Sequence, residues 1–273
     1  MTLDILSRDT STKDVDFPSL GGEAGFRQGE RKTLLLTGAT RGIGRATAEL
    51  FAEAGWRIIS CARQPLDEKR CPWTSGPEDH IQVDLSNHRI LPRAIAEVKK
   101  RLAGAPLHAL INNAGASPKG QNGARLTSLT TSLEIWMEVF HLNMVAPILL
   151  AQGVFEELRA ASGSIVNVTS IAGSRVHPFA GSAYATSKAA LACLTREMAH
   201  DYAPYGIRVN AVSPGEIKTD MLSPETEARL LRSIPLSRLG TTEEVAKVLF
   251  FLCSDAASYV TGTEVLINGG QHL

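Results

Sequence analysis

The sequence predicts a single α/β domain built on a doubly wound parallel sheet with helices on both faces. Short, continuously apolar segments alternate with amphipathic segments along most of the chain, which is typical of parallel strands buried on both faces. The first apolar segment runs directly into a glycine-rich turn, and no linker, repeat or low-complexity tract interrupts the alternation. We therefore expect one domain over residues 31–273. Residues 1–30 have poor apolar periodicity and are expected to form a mobile extension.

The boundaries of the elements follow from the apolar periodicity. Continuous apolar runs predict strands, and apolar residues that recur on one helical face predict helices. The predicted strands span residues 33–37, 57–61, 81–83, 109–111, 164–168, 207–212 and 264–267. The predicted helices span residues 45–54, about 92–102, 184–203 and 242–253.

The composition argues against several classes of partner. Lys plus Arg and Asp plus Glu number 28 each in 273 residues, so no net charge favours nucleic acid or an anionic membrane. No apolar run approaches the roughly 20 residues of a membrane helix, and the N-terminus lacks a secretory pattern. The four cysteines form neither a C-x-x-C pair nor a disulfide framework, which indicates the cytoplasm. No metal site is predicted.

The turn after the first strand is a candidate phosphate site. A backbone that reverses from strand to helix against a pyrophosphate needs residues without Cβ, and the helix N-terminus offers unpaired N–H groups. A glycine pattern alone also marks ordinary tight turns, but its place at the first strand–turn–helix favours dinucleotide binding. The predicted cofactor-binding residues of this turn are Gly38, Thr40, Arg41, Gly42, Ile43 and Gly44.

The end of the second strand indicates which dinucleotide is preferred. A carboxylate there would bind the ribose 2′-hydroxyl of NAD. Ala62 stands about where that acid is expected, and Arg63 follows it. Because guanidinium groups match phosphate oxygens, Arg41 and Arg63 together favour the 2′-phosphate of NADP(H) over NAD(H).

Tyr184 and Lys188 are the candidate proton-transfer residues. Their spacing of four places them on one face of a helix. A phenol has a pKa near 10, and a neighbouring ammonium lowers that pKa by stabilising the phenolate. The same pair is also common as a half-buried Tyr beside a solvated Lys. Ser170, at the end of the predicted strand 164–168, favours the catalytic interpretation because ligands bind beyond such strand ends, although a serine there also suits a helix cap.

With these motifs the chain is identified as resembling the short-chain dehydrogenase/reductase family, from about Thr33 to Gly270. The motifs are T-G-x-x-x-G-I-G at residues 37–44, N-N-A-G at 112–115, Ser170, Y-x-x-x-K at 184–188 and Pro214-Gly215. The resemblance implies a Rossmann-type sheet and the interconversion of a carbonyl and a secondary alcohol by hydride transfer.

The resemblance also implies roles for individual residues. Tyr184 matches the general acid/base, Lys188 the residue that lowers its pKa and holds the nicotinamide ribose, and Ser170 the anchor of the substrate oxygen. Asn143 matches the asparagine that supports a proton-relay water with Lys188. Further positions that match the family's cofactor contacts are Asp84, Leu85, Asn113, Gly115, Pro214, Gly215, Ile217 and Thr219.

The substrate is left open by the sequence. The whole pattern is most similar to the branch of 3-oxoacyl-[acyl-carrier-protein] reductases, which present basic residues to the acidic carrier. Ala161 and Tyr205 occupy the matching positions here, although Arg159 lies nearby. The segment 116–142 is longer than usual and begins with a turn-rich stretch. A small-molecule carbonyl reductase, a carrier-protein reductase and a catalytically silent NADP-binding regulatory module all remain open. The resemblance implies a homotetramer, with the apolar faces of residues 189–198 and 245–252 as candidate interfaces.

Overall fold

A computed structural model describes residues 31–65, 79–218 and 230–273, and within them the sheet is the organising element. Seven parallel strands lie in the order β3-β2-β1-β4-β5-β6-β7, so the direction of sheet growth reverses between β1 and β4. This confirms the predicted doubly wound fold, in which ligands bind beyond the carboxyl ends of the strands at the reversal. The strands are β1 Thr33–Thr37, β2 Arg57–Ala62, β3 His80–Gln82, β4 Ala109–Asn112, β5 Ser164–Val168, β6 Arg208–Pro214 and β7 Glu264–Ile267.

Helices flank the sheet on both faces. The first begins at Gly42 rather than at residue 45, because the last glycines of the turn already have helical hydrogen bonding. The segment 116–142 is partly helical, and two further helices precede β5. The helices are α1 Gly42–Glu53, α2 Leu91–Leu102, α3 Leu133–Phe140, α4 Ala146–Gly153, α5 Phe155–Ala160, α6 Ser182–Tyr202 and α7 Thr242–Cys253, with a π-helical turn at His141–Val145 between α3 and α4.

Two hydrophobic cores form because alternate residues of each strand point to opposite faces of the sheet. Leu35 lies in one core with residues of α2, α4 and α6, whereas Leu34 and Leu36 lie in the other with residues of α1 and α7. All three leucines are fully buried. Burial on both faces explains why the strand reads as a continuous apolar run.

The apolar faces proposed as oligomer interfaces are already used inside the chain. Leu191 and Met198 of α6 are buried, as are Val245 and Leu249 of α7. These four side chains pack inside the chain and are not available for assembly, but the rest of both segments is not excluded and the interfaces stay a prediction. Phe251, in the second of these segments, is exposed, and other exposed apolar side chains include Leu133 and Met137 of α3 and Leu266 of β7.

One helical stretch of the structure is longer and more apolar than the sequence prediction of membrane segments allowed. Helices α3 and α4 join through the π-helical turn into Leu133–Gly153, a stretch of 21 residues in which a window of 18 residues has a mean hydropathy of 1.4. Glu134, Glu138 and Asn143 interrupt its apolar run, which is why the sequence shows no continuous segment. By length and composition the stretch is sufficient to cross a membrane, but core helices of globular proteins meet the same criterion.

Candidate active site

A cavity of about 330 Å³ opens at the carboxyl ends of the central strands. The loops that follow β4, β5 and β6 form its walls, and α1 and α6 contribute one side each. Three of the four predicted catalytic residues, Ser170, Tyr184 and Lys188, line it together. The other residues that line the cavity are Ile43, Asn113, Gly115, Ser117, Val168, Thr169, Pro214, Gly215, Glu216 and Ile217.

Two glycines of the turn between β1 and α1 have no room for a side chain. Gly38 has a φ of +72°, and a Cβ on it would lie 2.9 Å from Nδ2 of Asn113. A Cβ on Gly44 would lie 2.1 Å from the carbonyl oxygen of Gly38. At these two positions the backbone carries no side chain, which allows the close approach of a pyrophosphate.

Asn113 holds this turn in place from the end of β4. Its Nδ2 donates to the carbonyl oxygens of Thr37 and Gly38, both at 3.0 Å. Its backbone N–H donates to Oγ1 of Thr37 at 3.0 Å. The side chain predicted to follow the cofactor is thus engaged in shaping the cleft between β1 and β4.

The predicted adenosine end lies at the start of α1 and the end of β2. Arg41 and Arg63 are exposed, and neither side chain forms a hydrogen bond or an ion pair with another residue of the described ranges. Ala62 ends β2 where a carboxylate would stand in an NAD-selective site. Asp84 accepts hydrogen bonds from the backbone and hydroxyl of Ser86, and Leu85 is buried.

Lys188 is a buried lysine beneath the cavity. Its Nζ donates to the carbonyl oxygen of Val168 at 2.6 Å and lies 5.8 Å from the ring centroid of Tyr184. Burial lowers the pKa of Lys188 from 10.5 to about 8. The amine therefore lies beneath the ring of Tyr184.

The hydroxyl group of Ser170 lies near that of Tyr184 across the cavity, close enough to act on its pKa. Burial raises the pKa of Tyr184 above 10, the hydroxyl of Ser170 opposes this, and the charge of Glu216 adds to it. The sequence indicates that Lys188 lowers the pKa of Tyr184, and this effect stays a prediction. Ser170 also caps the short 3-10 helix Ile171–Gly173, since its Oγ accepts from the N–H of Ala172 at 3.2 Å. The serine therefore serves as a cap and still reaches the tyrosine.

Asn143 lies behind this group in the π-helical turn, a rare conformation that recurs at functional sites. Its Oδ1 accepts from the N–H of Ala116 at 2.9 Å. Its Nδ2 donates to the carbonyl oxygen of Ala116 at 3.1 Å and to Oγ of Ser187 at 2.9 Å. The side chain ties the loop after β4 to α6, so its amide connects the walls of the site. A relay through this residue stays a prediction.

A line of buried polar side chains runs below the site. Nδ2 of Asn112 in β4 donates to Oδ1 of Asn167 in β5 at 2.9 Å. Nδ2 of Asn167 donates to Oγ1 of Thr195 in α6 at 2.9 Å, and that hydroxyl donates to the carbonyl oxygen of Leu191. These bonds join two strands and the helix that carries Tyr184.

The loop after β6 closes the remaining wall. Pro214 ends the strand, and the N–H of Gly215 donates to the carbonyl oxygen of Ile267. A Cβ on Gly215 would lie 2.6 Å from Cβ of Asn268, so only glycine fits there. Ile217 forms a bridge with Gly240. Thr219, the last predicted residue of this loop, lies outside the described residues, as does the predicted extension 1–30.

Two residues of the site were missed from the sequence. Glu216 lines the cavity, and its carboxylate contacts the imidazole of His177. Neither residue belongs to a motif from which the sequence predicts a site. The only available signal was position, because Glu216 follows Pro214-Gly215 and His177 lies between Ser170 and Tyr184.

Comparison with known proteins identifies the family. The family model described as enoyl-(acyl carrier protein) reductase matches residues 38–272. An oxidoreductase of the short-chain dehydrogenase/reductase family from Brucella ovis, solved in complex with a partially ordered NAD, is 58% identical, with a TM-score of 0.77 over 88% of this chain and 100% of that chain. The chain belongs to the short-chain dehydrogenase/reductase family. The predicted family and fold are confirmed.

Two relatives refine the comparison within the short-chain dehydrogenases/reductases. Protein FixR from Bradyrhizobium diazoefficiens is 79% identical over 246 residues, which are 90% of this chain and 88% of that protein. The 3-oxoacyl-[acyl-carrier-protein] reductase FabG from Aquifex aeolicus is 36% identical over 253 residues, which are 88% of this chain and 97% of that protein. The chain is thus an oxidoreductase of the class that acts on CH–OH groups with NAD(P)⁺, in a branch similar to the 3-oxoacyl reductases.

Proposed function

We propose that the protein interconverts a small carbonyl compound and a secondary alcohol, with Tyr184 as general acid/base. The observation that carries this proposal is the meeting of Ser170, Tyr184 and Lys188 in one cavity at the strand ends. Because Ser170 and Tyr184 line the same cavity, a carbonyl oxygen between them can accept hydrogen bonds from both hydroxyl groups.

The proton chemistry follows from the surroundings of Tyr184. Burial keeps the phenol protonated at neutral pH, because it raises the pKa of Tyr184. A neutral phenol is an acid, so it donates its proton to the carbonyl oxygen as the alcohol forms. Ser170 donates to the same oxygen. Lys188, fixed by Val168, supplies positive charge below the tyrosine when the phenolate appears.

A dinucleotide fits the cleft beside these residues. Gly38 and Gly44 leave no room for a Cβ, and Ile43 and Gly115 line the cavity that holds Tyr184. Gly38, Thr40, Gly42 and Gly44 would hold the pyrophosphate, and Lys188 the nicotinamide ribose. When bound there, the nicotinamide supplies or accepts the hydride.

NADP(H) is the proposed preference over NAD(H). Arg41 and Arg63 are exposed at the expected position of the 2′-phosphate, and Ala62 provides no competing carboxylate. The Brucella ovis relative was solved with NAD, which makes NAD(H) the competing choice.

Reduction of a 3-oxoacyl group on acyl carrier protein is the second candidate. The similarity to FabG from Aquifex aeolicus favours it. The positions expected to bind the acidic carrier protein argue against it, because Ala161 and Tyr205 stand where those reductases have basic residues. Arg159 is exposed but forms an ion pair with Glu156 at 2.6 Å. We therefore place a small carbonyl compound first.

The experiment that tests the function measures NADPH and NADH oxidation with ketones and 3-oxoacyl thioesters. Wild type is expected to reduce at least one substrate, and Tyr184→Phe to lose at least about 100-fold in kcat while still binding the dinucleotide. If both proteins bind the dinucleotide and are equally inert on every substrate, the regulatory-module alternative takes its place.

The proposed setting of the enzyme is a cytoplasmic homotetramer. Residues 31–273 cluster as one compact unit, which supports a single catalytic domain after residue 30. Cys61 and Cys253 are buried free thiols, whose pKa burial raises to about 12, and they suit a reducing compartment. The exposed Leu133 and Met137 of α3 offer an apolar surface for assembly. Light scattering of the purified chain tests the tetramer.

A further inference from the structure

Glu216 is an acidic side chain on the wall of the candidate active site. It follows Pro214-Gly215 at the end of β6 and lines the same cavity as Ser170 and Tyr184. Among the described residues that line this cavity, it is the one acid. Glu216 therefore forms part of the wall of the space in which a substrate would lie, and its charge acts on Tyr184 in that cavity.

His177 fixes the orientation of this carboxylate. The N–H groups of Phe179 and Ala180 donate to Nδ1 of His177 at 3.2 and 3.3 Å, so this nitrogen carries no proton. The proton then resides on Nε2, which donates to Oε1 of Glu216 at 2.5 Å. The side chains are only 13% and 15% exposed, respectively. Both imidazole nitrogens are thus used to hold Glu216 against the cavity.

The carboxylate keeps hydrogen-bonding capacity after this contact. Each carboxylate oxygen can accept two hydrogen bonds. Within the described ranges, His177 is the only residue whose side chain or N–H contacts the Glu216 carboxylate. A half-buried carboxylate with a vacant acceptor oxygen gains most from a donor on a ligand.

The charge of Glu216 is felt by its neighbours. It raises the pKa of Tyr184, and it opposes the lowering of the pKa of Lys119 that burial and Arg125 cause. The nearby basic side chains are directed to backbone carbonyls. Lys119 donates to Phe179, and Arg125 donates to Ala180. Neither basic group forms an ion pair with Glu216.

We propose that Glu216, positioned by His177, determines substrate specificity by accepting a hydrogen bond from a hydroxyl or ammonium group of the carbonyl substrate. This inference rests on the proposed function. The same carboxylate disfavours a substrate with an anionic group at that point, because two negative charges would meet in a partly buried site.

The test uses methyl ketones of matched shape. Hydroxyethyl methyl ketone is compared with methyl propyl ketone, which lacks the donor. Dimethylaminoethyl methyl ketone, isoamyl methyl ketone and levulinate form a cationic, neutral and anionic series. Wild type is expected to prefer the hydroxyl or the ammonium compound over its apolar match by at least about fivefold in kcat/KM, and to disfavour levulinate.

Variants of Glu216 separate hydrogen bonding from charge. Glu216→Leu is expected to abolish the preference for either donor. Glu216→Gln retains an acceptor, so it keeps part of a hydroxyl preference but equalises the cationic and anionic ketones. His177→Leu is expected to reduce the preference, and His177→Gln to restore part of it through its amide donor. Glu53→Gln, the same change at an exposed residue of α1, is expected to leave every ratio unchanged.

The outcomes distinguish this inference from the proposed function. A hydroxyl effect alone identifies a hydroxylated substrate, and an ammonium effect alone an amino compound; both support the role of Glu216. Dinucleotide binding and circular dichroism confirm that each variant is folded. If ketones are reduced but Glu216→Leu keeps the wild-type ratios, the inference is overturned while the proposed function stands. If wild type reduces no ketone or thioester, the proposed function fails.

Discussion

The side-chain nitrogen of Lys188 lies 2.6 Å from the carbonyl oxygen of Val168, so α6 donates directly to the last residue of β5. This bond places the ammonium beneath Tyr184 at the cost of burying a charge. Because burial lowers the pKa of Lys188 to about 8, folding opposes protonation of this group.

A dependence of stability on pH follows from this burial. Between pH 8 and 10.5 the unfolded chain keeps the Lys188 proton that the folded chain loses, so the stability of wild type rises with pH. The loss of stability that comes from burying the charged amine is complete below pH 8 and is relieved as the pH approaches 10.5. Relative to Lys188→Met, the free energy of unfolding of wild type should rise by up to about 3 kcal/mol across this interval. Urea denaturation measures it, and parallel pH curves for the two proteins would contradict it.

The pH profile of the reaction is a second prediction. Burial, opposed by Ser170 and reinforced by Glu216, raises the pKa of Tyr184 above 10. Carbonyl reduction needs the protonated phenol and is aided by the charge of Lys188, whose pKa is about 8. We therefore expect kcat/KM to stay constant through neutral pH, to fall in part near pH 8 as Lys188 loses its proton, and to fall completely only above pH 10. Glu216→Gln removes a negative charge that raises the pKa of Tyr184. The decline above pH 10 should therefore move to lower pH in this variant, whereas Glu53→Gln should leave it unchanged. If the activity of wild type is instead lost completely near neutral pH, Lys188 lowers the pKa of Tyr184 as the sequence indicates.

The packing of the glycine turn leads to a third prediction. In Gly44→Ala the new Cβ would meet the carbonyl oxygen of Gly38 at 2.1 Å, which only a backbone shift relieves. The expected loss is about 1–3 kcal/mol or more, with weaker dinucleotide binding. Gly115→Ala is the matched control, because its Cβ would meet side-chain atoms of Asn143 and Lys188 at 3.3 Å. Thermal denaturation should show the larger decrease for Gly44→Ala; equal decreases would refute the argument.

The choice of dinucleotide is the fourth prediction. Arg63→Ala and Arg41→Ala are each expected to lower kcat/KM for NADPH by about tenfold or more, because each removes a charge-assisted contact to the 2′-phosphate. The value for NADH should change little. Arg196→Ala, an exposed arginine on α6, serves as the control. An unchanged ratio of NADPH to NADH in Arg63→Ala would exclude the assigned role.

Much of the fold was predictable because strands and helices differ in apolar period. Strands β1, β5 and β7 and helix α7 have the predicted boundaries, since apolar runs or clear caps delimit them. Helix α7 begins after Thr241, which forms a capping box with Glu244. The helices before β5 were missed, because α4 is apolar on most sides and α5 has only six residues.

The site was predictable only where chemistry is written into local spacing. Tyr184 and Lys188 share a helical face, and the glycine turn is continuous in sequence. The contact between His177 and Glu216 joins two loops 39 residues apart, and no periodicity relates them. The inward direction of Val245 and Leu249 likewise depended on which side of α7 meets the sheet.

The line from Asn112 through Asn167 to Thr195 has a consequence for how the reactive groups are aligned. Sliding α6 by one turn along β5 would separate Asn167 from Thr195 and strand an amide in the core, at roughly 1–3 kcal/mol. Apolar contacts alone tolerate such a slide, since one leucine can replace another. These amide and hydroxyl groups therefore fix the position of α6 along β5. They set the height of the Tyr184 phenol above the sheet, although none of the three residues lines the cavity.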